Sequence, residues 1–248
     1  MEFGKYIAHR GLYGKNIPEN SIPAFVRAAE KGFAAELDVR LSKDGKIVVF
    51  HDSDLMRMCG VEGRISDFTY RQLTAFRLGN SNERIPLLKD VLKAVNGRIP
   101  LLIEIKDGSP VGSLEKRVYK LMRSCKTDQS YAIESFNPFS VMWFRIYAPE
   151  VRRGQLISVR RNKTDLKYIA RRICALSIVW KLISSPDFIA DDLRCVSVKK
   201  MLAASDINAK YVLWTARSDA DIKMSSYFTD KIIFENYDGL SYDLSDNR

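Results

Sequence analysis

Apolar positions along this chain fall into two alternating kinds of run. The first kind is short, apolar and often β-branched, and mostly ends in polar residues: "KYIAH" (5–9), "AAELDVR" (34–40), "PLLIEIK" (100–106), "YAIESF" (131–136), "RRGQLIS" (152–158), "DFIADD" (187–192), "KYVLWTA" (210–216) and "KIIFEN" (231–236). The second kind repeats apolar residues every three to four positions, the period of an amphipathic helix. In "SIPAFVRAAEKG" (21–32), Ile22, Phe25, Val26 and Ala29 share one face. Ser21 or Asn20 caps that helix, Pro23 sits in its first turn and Gly32 marks its end. "DFTYRQLTAF" (67–76) and "IPLLKDVLKAVNG" (85–97) predict two short helices. "LEKRVYKLMRSC" (114–125), "NPFSVMWFRIY" (137–147) and "SVKKMLAASD" (197–206) predict three more, and a last short helix follows "KYVLWTA".

Strands alternating with helices predict βα units around a parallel sheet. "KIVVFHD" (46–52) is a further strand, reached through the turn "SKDGK". With that strand set aside as an excursion, eight βα-type strands remain. The chain has 248 residues, and a (β/α)₈ barrel takes about 250. No stretch rich in Pro, Gly or Ser divides it, so residues 1–248 are read as one domain.

An apolar fraction of 46% is that of a globular chain with a full core. The longest apolar stretch, "ICALSIVW" (173–180), is far too short to span a bilayer. The start, "MEFGKYIAHR", does not read as a secretory signal. Cys59, Cys125, Cys174 and Cys195 are scattered, with no CxxC pair, and are read as free thiols. The expectation is a cytoplasmic protein.

Forty Lys and Arg against 30 Asp and Glu leave a charge of +10, which favours anionic partners. Much of the excess lies in 151–172, directly before the apolar "ICALSIVWKLI" (173–183). One reading is a solvated basic face. The others are an amphipathic helix within 152–183 docked on anionic membrane with Trp180 at the interface, a homodimer face, or a helix packed on the barrel. No nucleic-acid reader motif accompanies the basic residues, so nucleic acid is not an expected partner.

The chemistry-bearing residues cluster at strand ends. His9 and Arg10 follow the first strand, Glu36 and Asp38 lie on the second, His51 and Asp52 follow "VVF", and Glu104 and Lys106 end "PLLIEIK". In a barrel all strand C-termini open on one face, where active sites form. Glu36 and Asp38, two apart on a strand, share a face. With Glu104 they make three converging carboxylates, a donor set for a hard divalent cation such as Mg²⁺ or Ca²⁺. His9 and His51, the only two histidines, suit general acid and base roles. Arg10 and Lys106 suit a phosphate. Together these groups suit hydrolysis of a phosphate ester.

"AHRG", "PENS", "AFVRAAEKG", "AELDVRLSKDGKIVVFHD" and "LLIEIK", in this order over residues 7–106, resemble the glycerophosphodiester phosphodiesterase family. The likeness continues more weakly through "SFNPFSV", "APEVRRGQL" and "VLWTARSDADI". It implies a (β/α)₈ barrel with a small insertion after strand 2, about residues 53–87. It also implies metal-dependent cleavage of glycerophosphodiesters to an alcohol and glycerol 3-phosphate. By motif match it makes Glu36, Asp38 and Glu104 the ligands of one divalent cation, Mg²⁺ in first place and Ca²⁺ second. His9 and His51 become the acid–base pair, and Arg10 and Lys106 the phosphate contacts. Glu19 becomes a glycerol contact or an outer support of the site, and Asn20 a metal ligand or a helix cap. Trp214, and more weakly Phe136, form an apolar wall near the glycerol. The family mechanism implies attack by a glycerol hydroxyl through a cyclic phosphate. Two other readings stay open: a lysophospholipase D-type enzyme on membrane lysolipids, and an inactive barrel that binds phosphate or lipid. The chain departs from the family near its last strand, where Glu235 and Asn236 stand in place of an Asp-containing loop.

Overall fold

The computed structural model describes residues 3–106, 108–125, 128–158 and 183–244. Nine strands form: β1 (Tyr6–Ala8), β2 (Ala34–Leu41), β3 (Ile47–Val49), β4 (Leu101–Ile105), β5 (Tyr131–Ser135), β6 (Arg152–Ile157), β7 (Phe188–Asp192), β8 (Lys210–Ala216) and β9 (Ile232–Phe234). They pair in the order β1-β9-β8-β7-β6-β5-β4-β2-β3, and β1 also pairs with β2. Ile7 opposite Ala34 closes the ring. Every pairing is parallel except β2 with β3, where Val39 faces Val49. Eight parallel strands therefore make a closed (β/α)₈ barrel, and β3 is the predicted excursion.

Period two divides the core into two layers. Ile7, Ala34, Leu102, Ala132, Phe188, Val212 and Ile233 point into the barrel. Their sequence neighbours Ala8, Ala35, Ile103, Ile133, Leu213 and Phe234 point outward against the helices. Phe188 can fill the interior because position 154 is Gly: a Cβ there would lie 2.1 Å from the Phe188 ring. Two residues beyond the inward-facing Ala34, Leu102 and Ala132 come Glu36, Glu104 and Glu134. The same phase that builds the core thus sends three carboxylates into the barrel mouth.

The helices are α1 (Ile22–Glu30), α2 (Met56–Cys59), α3 (Tyr70–Leu73), α4 (Leu88–Val95), α5 (Ser113–Ser124), α6 (Pro138–Tyr147), α7 (Val198–Ser205) and α8 (Asp219–Ser226). Ser21 caps α1, accepting from the Ala24 amide at 3.4 Å. Asn20, the alternative cap, instead adopts φ 56° and turns its side chain toward Asp38. Gly32 lies one residue past the C-cap, Lys31. The helix expected over 67–76 shrinks to the single turn α3, where Thr69 and Gln72 cap each other. The single turn α2 has no side-chain cap and was not foreseen. Both belong to the insertion, which builds its own small cluster from Val48, Phe50, Leu55, Ile65, Leu73 and Ile85.

Residues 159–182, with Cys174, Trp180 and most of the basic and apolar stretch, fall outside the described residues. Of the stretch 152–183, Arg152–Ile157 is strand β6. Among the described residues, Cys59, Cys125 and Cys195 form no disulfide, and no helix is long and apolar enough to cross a membrane.

Candidate active site

The C-terminal ends of the strands open onto a cavity of about 380 Å³ lined by His9, Arg10, Glu36, His51, Glu104 and Lys106, together with Trp214. Asp38 and Glu19 stand behind this wall. Glu134, Phe136 and Arg217 also line the cavity; the sequence marks Phe136 for the apolar wall, but not Glu134 or Arg217. A cavity of about 500 Å³ lies at the other end of the barrel, beside Phe188 and Lys210 at the starts of β7 and β8. Its Asp187 is engaged by Arg152 and Arg153, and its described lining holds no histidine.

Arg10 is held in the left-handed region at φ 56°, a conformation that costs a non-glycine residue about 1–3 kcal/mol. In this position its N–H donates to Glu36 Oε2 at 2.8 Å, and its carbonyl accepts from the Asn20 amide at 2.9 Å. Its guanidinium donates to Glu19 Oε1 at 2.8 Å. Glu19 is also held by Arg57, at 2.6 Å. Glu19 therefore fixes Arg10 from outside the cavity.

The carboxylates separate into two environments. Glu36, Glu104 and Glu134 each place one oxygen within 4.8 Å of the others. Glu36 Oε1 and Glu134 Oε2 are buried with no hydrogen-bond partner among the described residues. Burial, then the neighbouring negative charges, push Glu36 and Glu134 well above the ordinary carboxylate range. Burial likewise raises Glu104 to about 7. Asp38 goes the other way: burial pushes it up, but the cations Lys106 and Arg10 outweigh that and hold it well below its usual value. Lys106 Nζ lies 2.9 Å from Asp38 Oδ1 and 2.8 Å from Glu104 Oε1. The Asn20 amide donates to Asp38 Oδ2 at 2.7 Å. Of the acids marked in the sequence, Glu36 and Glu104 meet in the triad. Asp38 sits among cations, and Glu134 completes the cluster. A signal for Glu134 existed, since it is the register neighbour of Glu104.

Like charges this close repel unless a shared proton or a cation neutralises them. Three buried carboxyl groups, two of them with an unpartnered oxygen, match the oxygen-donor chemistry of a hard divalent ion. The triad could therefore hold one.

Each histidine is backed by a carboxylate. His9 Nδ1 lies 2.8 Å from Glu235 Oε2, which also accepts from Tyr13 Oη at 2.8 Å, and the other oxygen, Oε1, pairs with Arg217. His51 Nδ1 lies 2.6 Å from Asp52 Oδ1, and Asp52 Oδ2 accepts from Arg57 Nε at 2.5 Å. A carboxylate at Nδ1 fixes the tautomer with hydrogen on that nitrogen and frees Nε2. His9 Nε2 lies 3.9 Å from Glu36. Burial lowers both imidazoles, His51 to about 4, so both rest neutral.

The other wall is apolar. Trp214 meets Phe136 edge-on with ring centroids 5.8 Å apart, and its indole N–H donates to the Ala190 carbonyl at 3.1 Å. The Trp214–Thr215 peptide is cis.

The glycerophosphoryl diester phosphodiesterase family matches residues 9–238. The chain is 37% identical over 159 residues to a glycerophosphodiester phosphodiesterase of Caldanaerobacter subterraneus, a match covering 60% of this chain and 65% of that protein. It is 36% identical over 132 residues to human lysophospholipase D GDPD1, covering 48% of this chain and 41% of that one. Among solved structures, an Oleispira antarctica phosphodiesterase in complex with its product sn-glycerol-3-phosphate superposes with TM-score 0.78 at 22% identity, over 95% of this chain and 94% of the other. At that identity the likeness speaks for the fold. The family match spans most of the chain and includes every strand end described above except the last residues of β1, and the chain belongs to the glycerophosphoryl diester phosphodiesterase family.

Proposed function

We propose that the chain hydrolyses glycerophosphodiesters to an alcohol and glycerol 3-phosphate. The observation that carries this reading is the convergence, in one cavity, of two carboxylate-backed histidines, two cations and a carboxylate triad. Acid–base work needs two proton carriers with free ring nitrogens, and both histidines present Nε2. A phosphodiester needs fixed positive charge, and Arg10 and Lys106 supply it. Glycerol carbons need an apolar wall, and Trp214 with Phe136 forms one.

In this account Glu36, Glu104 and Glu134 hold one divalent cation, with Asp38 setting Lys106 and Arg10 beside them. We take Mg²⁺ as the ion, with Ca²⁺ as the alternative. When bound, the ion supplies Lewis-acid polarisation of a phosphoryl oxygen. His9 Nε2 accepts the proton of the glycerol hydroxyl next to the phosphate, while Glu235 stabilises the imidazolium that forms. That hydroxyl oxygen bonds to phosphorus as the bond to the leaving alcohol breaks. His51, which takes up a proton at Nε2 from solvent when the substrate anion binds, delivers it to the leaving oxygen. Burial and the charges of Lys106 and Arg10 resist protonation of His51, and the single negative charge of a phosphodiester offsets part of that positive charge. The resulting cyclic phosphate is opened by water, with the proton movements reversed.

A substrate lacking the neighbouring hydroxyl tests the route. Glycerophosphocholine should turn over at least a hundredfold faster than its 2-deoxy analogue. Equal rates would mean that water attacks directly and that no cyclic phosphate forms. A lysophospholipase D-type activity is the second reading. It is favoured by the human relative and by Phe136 and Phe139, 38% and 51% exposed. Faster release of choline from lysophosphatidylcholine vesicles than from glycerophosphocholine would establish it. All the proposed polar positions hold competent side chains, which speaks against an inactive binding barrel.

A further inference from the structure

Beside the catalytic cavity lies another, of about 280 Å³. Its floor is the end of β2 and the turn to β3, from Arg40 to Lys43. One wall is the insertion, with Ser53 and Arg64–Ser66; the other is the loop after β4, with Gly108–Pro110. We propose that this cavity is a subsite for an anionic, hydroxyl-bearing leaving group, of the class of a phosphorylated polyol. The inference rests on the hydrolase reading above and specifies the alcohol half of its substrate.

Position is the first argument. Lys106 lines both cavities. Arg40, on the floor of the second, donates through Nε and Nη2 to the His51 carbonyl at 3.0 and 2.8 Å. The partition between the two spaces therefore carries His51, the group that protonates the leaving oxygen. A leaving group expelled on the His51 side is directed past Lys106 toward Arg40.

Charge is the second argument. The described lining includes four cations, Arg40, Lys43, Arg64 and Lys106, and no carboxylate. Lys106 is committed to Asp38 and Glu104. Lys43 and Arg64 have no ion pair among the described residues. Some arginines do: Arg27 holds Asp238, Arg57 holds Glu19 and Asp52, Arg194 holds Asp192, and Arg217 holds Glu235; Arg71, Arg84 and Arg98, which do not line this cavity, likewise have none among the described residues. The nearby acids are engaged by neutral donors rather than by these cations. Asp44 accepts from the Ser42 hydroxyl and the Tyr70 amide, Asp54 from the Met56 amide and Asp67 from the Arg64 amide. Two cations without an ion pair among the described residues thus border a concave space, where an anion feels them more strongly than over a flat surface.

Hydrogen bonding is the third argument. The side-chain hydroxyls of Ser53, Ser66 and Ser109 have no partner among the described residues, so donors and acceptors for ligand hydroxyl groups remain. The volume lies just below the range of about 300–1,000 Å³ for small-molecule pockets, and so suits one substituent of a substrate. A choline or ethanolamine group would meet like charge here.

The test combines binding with kinetics on the full chain. Calorimetric titration with myo-inositol 4-phosphate should show saturable binding. Affinity should fall at least tenfold in the folded double variant Lys43→Ala/Arg64→Ala, and persist in His9→Ala. Inorganic phosphate should bind at least tenfold more weakly. Wild type should show a kcat/KM for glycerophosphoinositol 4-phosphate at least tenfold above that for glycerophosphocholine, and the double variant should lose that preference. No binding, binding unchanged in the double variant, or equal affinity for inorganic phosphate would each overturn the subsite. Hydrolysis of both diesters without preference would overturn it too, and would leave the hydrolase reading standing. Saturable binding without hydrolysis of either diester would instead count against the hydrolase reading and remove the leaving-group role with it.

Discussion

His9 and Glu235 stand 226 positions apart in the chain, and His9 Nδ1 lies 2.8 Å from Glu235 Oε2. Closure of the barrel makes this contact, because β1 pairs with β9 and Ala8 faces Phe234. Each residue is the next one along its strand. In Glu235→Gln the Nδ1 partner is neutral and can hydrogen-bond in either orientation, so neither the tautomer nor the imidazolium is secured. Activity on glycerophosphocholine should fall by about 10²–10⁴-fold through kcat, in the range that acid–base groups contribute. A change confined to KM would show that Glu235 contacts substrate instead.

The same carboxylate gives a pH-dependent stability. Burial pushes Glu235 up, but hydrogen bonds from His9, Arg217 and Tyr13 outweigh it and lower its pKa from 4.5 to about 2. Because the folded value is depressed, the stabilisation is fully present above the unfolded pKa and is lost as pH falls toward the folded one. The melting-temperature gap between wild type and Glu235→Gln should be constant above about pH 5 and should narrow between pH 4.5 and 3. Thermal melts across that range check the sign; a gap that widens on acidification contradicts it.

Glu134 should show opposite effects with and without metal. Its carboxyl is buried beside Glu104 and Glu36; burial first, then the charge of Glu104, raise its pKa, and burial with the charges of Asp38, Glu104 and Glu134 raises that of Glu36. Glu134→Gln should therefore raise the melting temperature in EDTA by a few degrees, each kcal/mol being worth roughly 2–4 °C at this chain length. It should also weaken divalent-ion affinity. Loss of outer support alone costs metal sites about 10–100-fold, and loss of a ligand should cost at least as much. Melts with and without Mg²⁺ or Ca²⁺ read both effects. An unchanged metal-induced shift would remove Glu134 from the ligand set.

The barrel interior makes a packing prediction free of the chemistry. In Gly154→Ala the new methyl meets the Phe188 ring. Overpacking of this kind costs about 1–3 kcal/mol, so the melting temperature should drop by several degrees. Phe188→Leu in the same chain should restore part of the loss. No drop would mean that Phe188 has room to move aside.

The barrel was legible because its signals are local and repeated. Strands such as "PLLIEIK" and "YAIESF" carry their apolar residues and turn signals within a few positions. The histidines, Arg10, Glu104 and Lys106 stand out in the sequence for a related reason, since each lies at or just past a strand's C-terminal end; Glu36, third in β2, stands out through its spacing with Asp38. Glu134 obeys the same phase as Glu104 but stands alone on its strand, with no second chemical residue to draw notice. Period two places Asp38 with Glu36 as an expected ligand. Its neighbours Lys106 and Asn20 come from other segments, and the spacing along β2 carries no information about them. The partnership of Glu235 with His9 depends on ring closure between the first and last strands. The single turns α2 and α3 are too short for a helical period to declare itself, and capping at Thr69 and Gln72 decides where α3 sits.

The most direct measurement follows glycerophosphocholine by phosphorus NMR with purified protein, in Mg²⁺, in Ca²⁺ and in EDTA, for wild type and His9→Ala. The account predicts conversion to glycerol 3-phosphate with free choline in the presence of a divalent ion, and none in EDTA. His9→Ala should be slower by about 10²–10⁴-fold. Phosphocholine as product, full activity in EDTA, or a His9→Ala rate equal to wild type would contradict it.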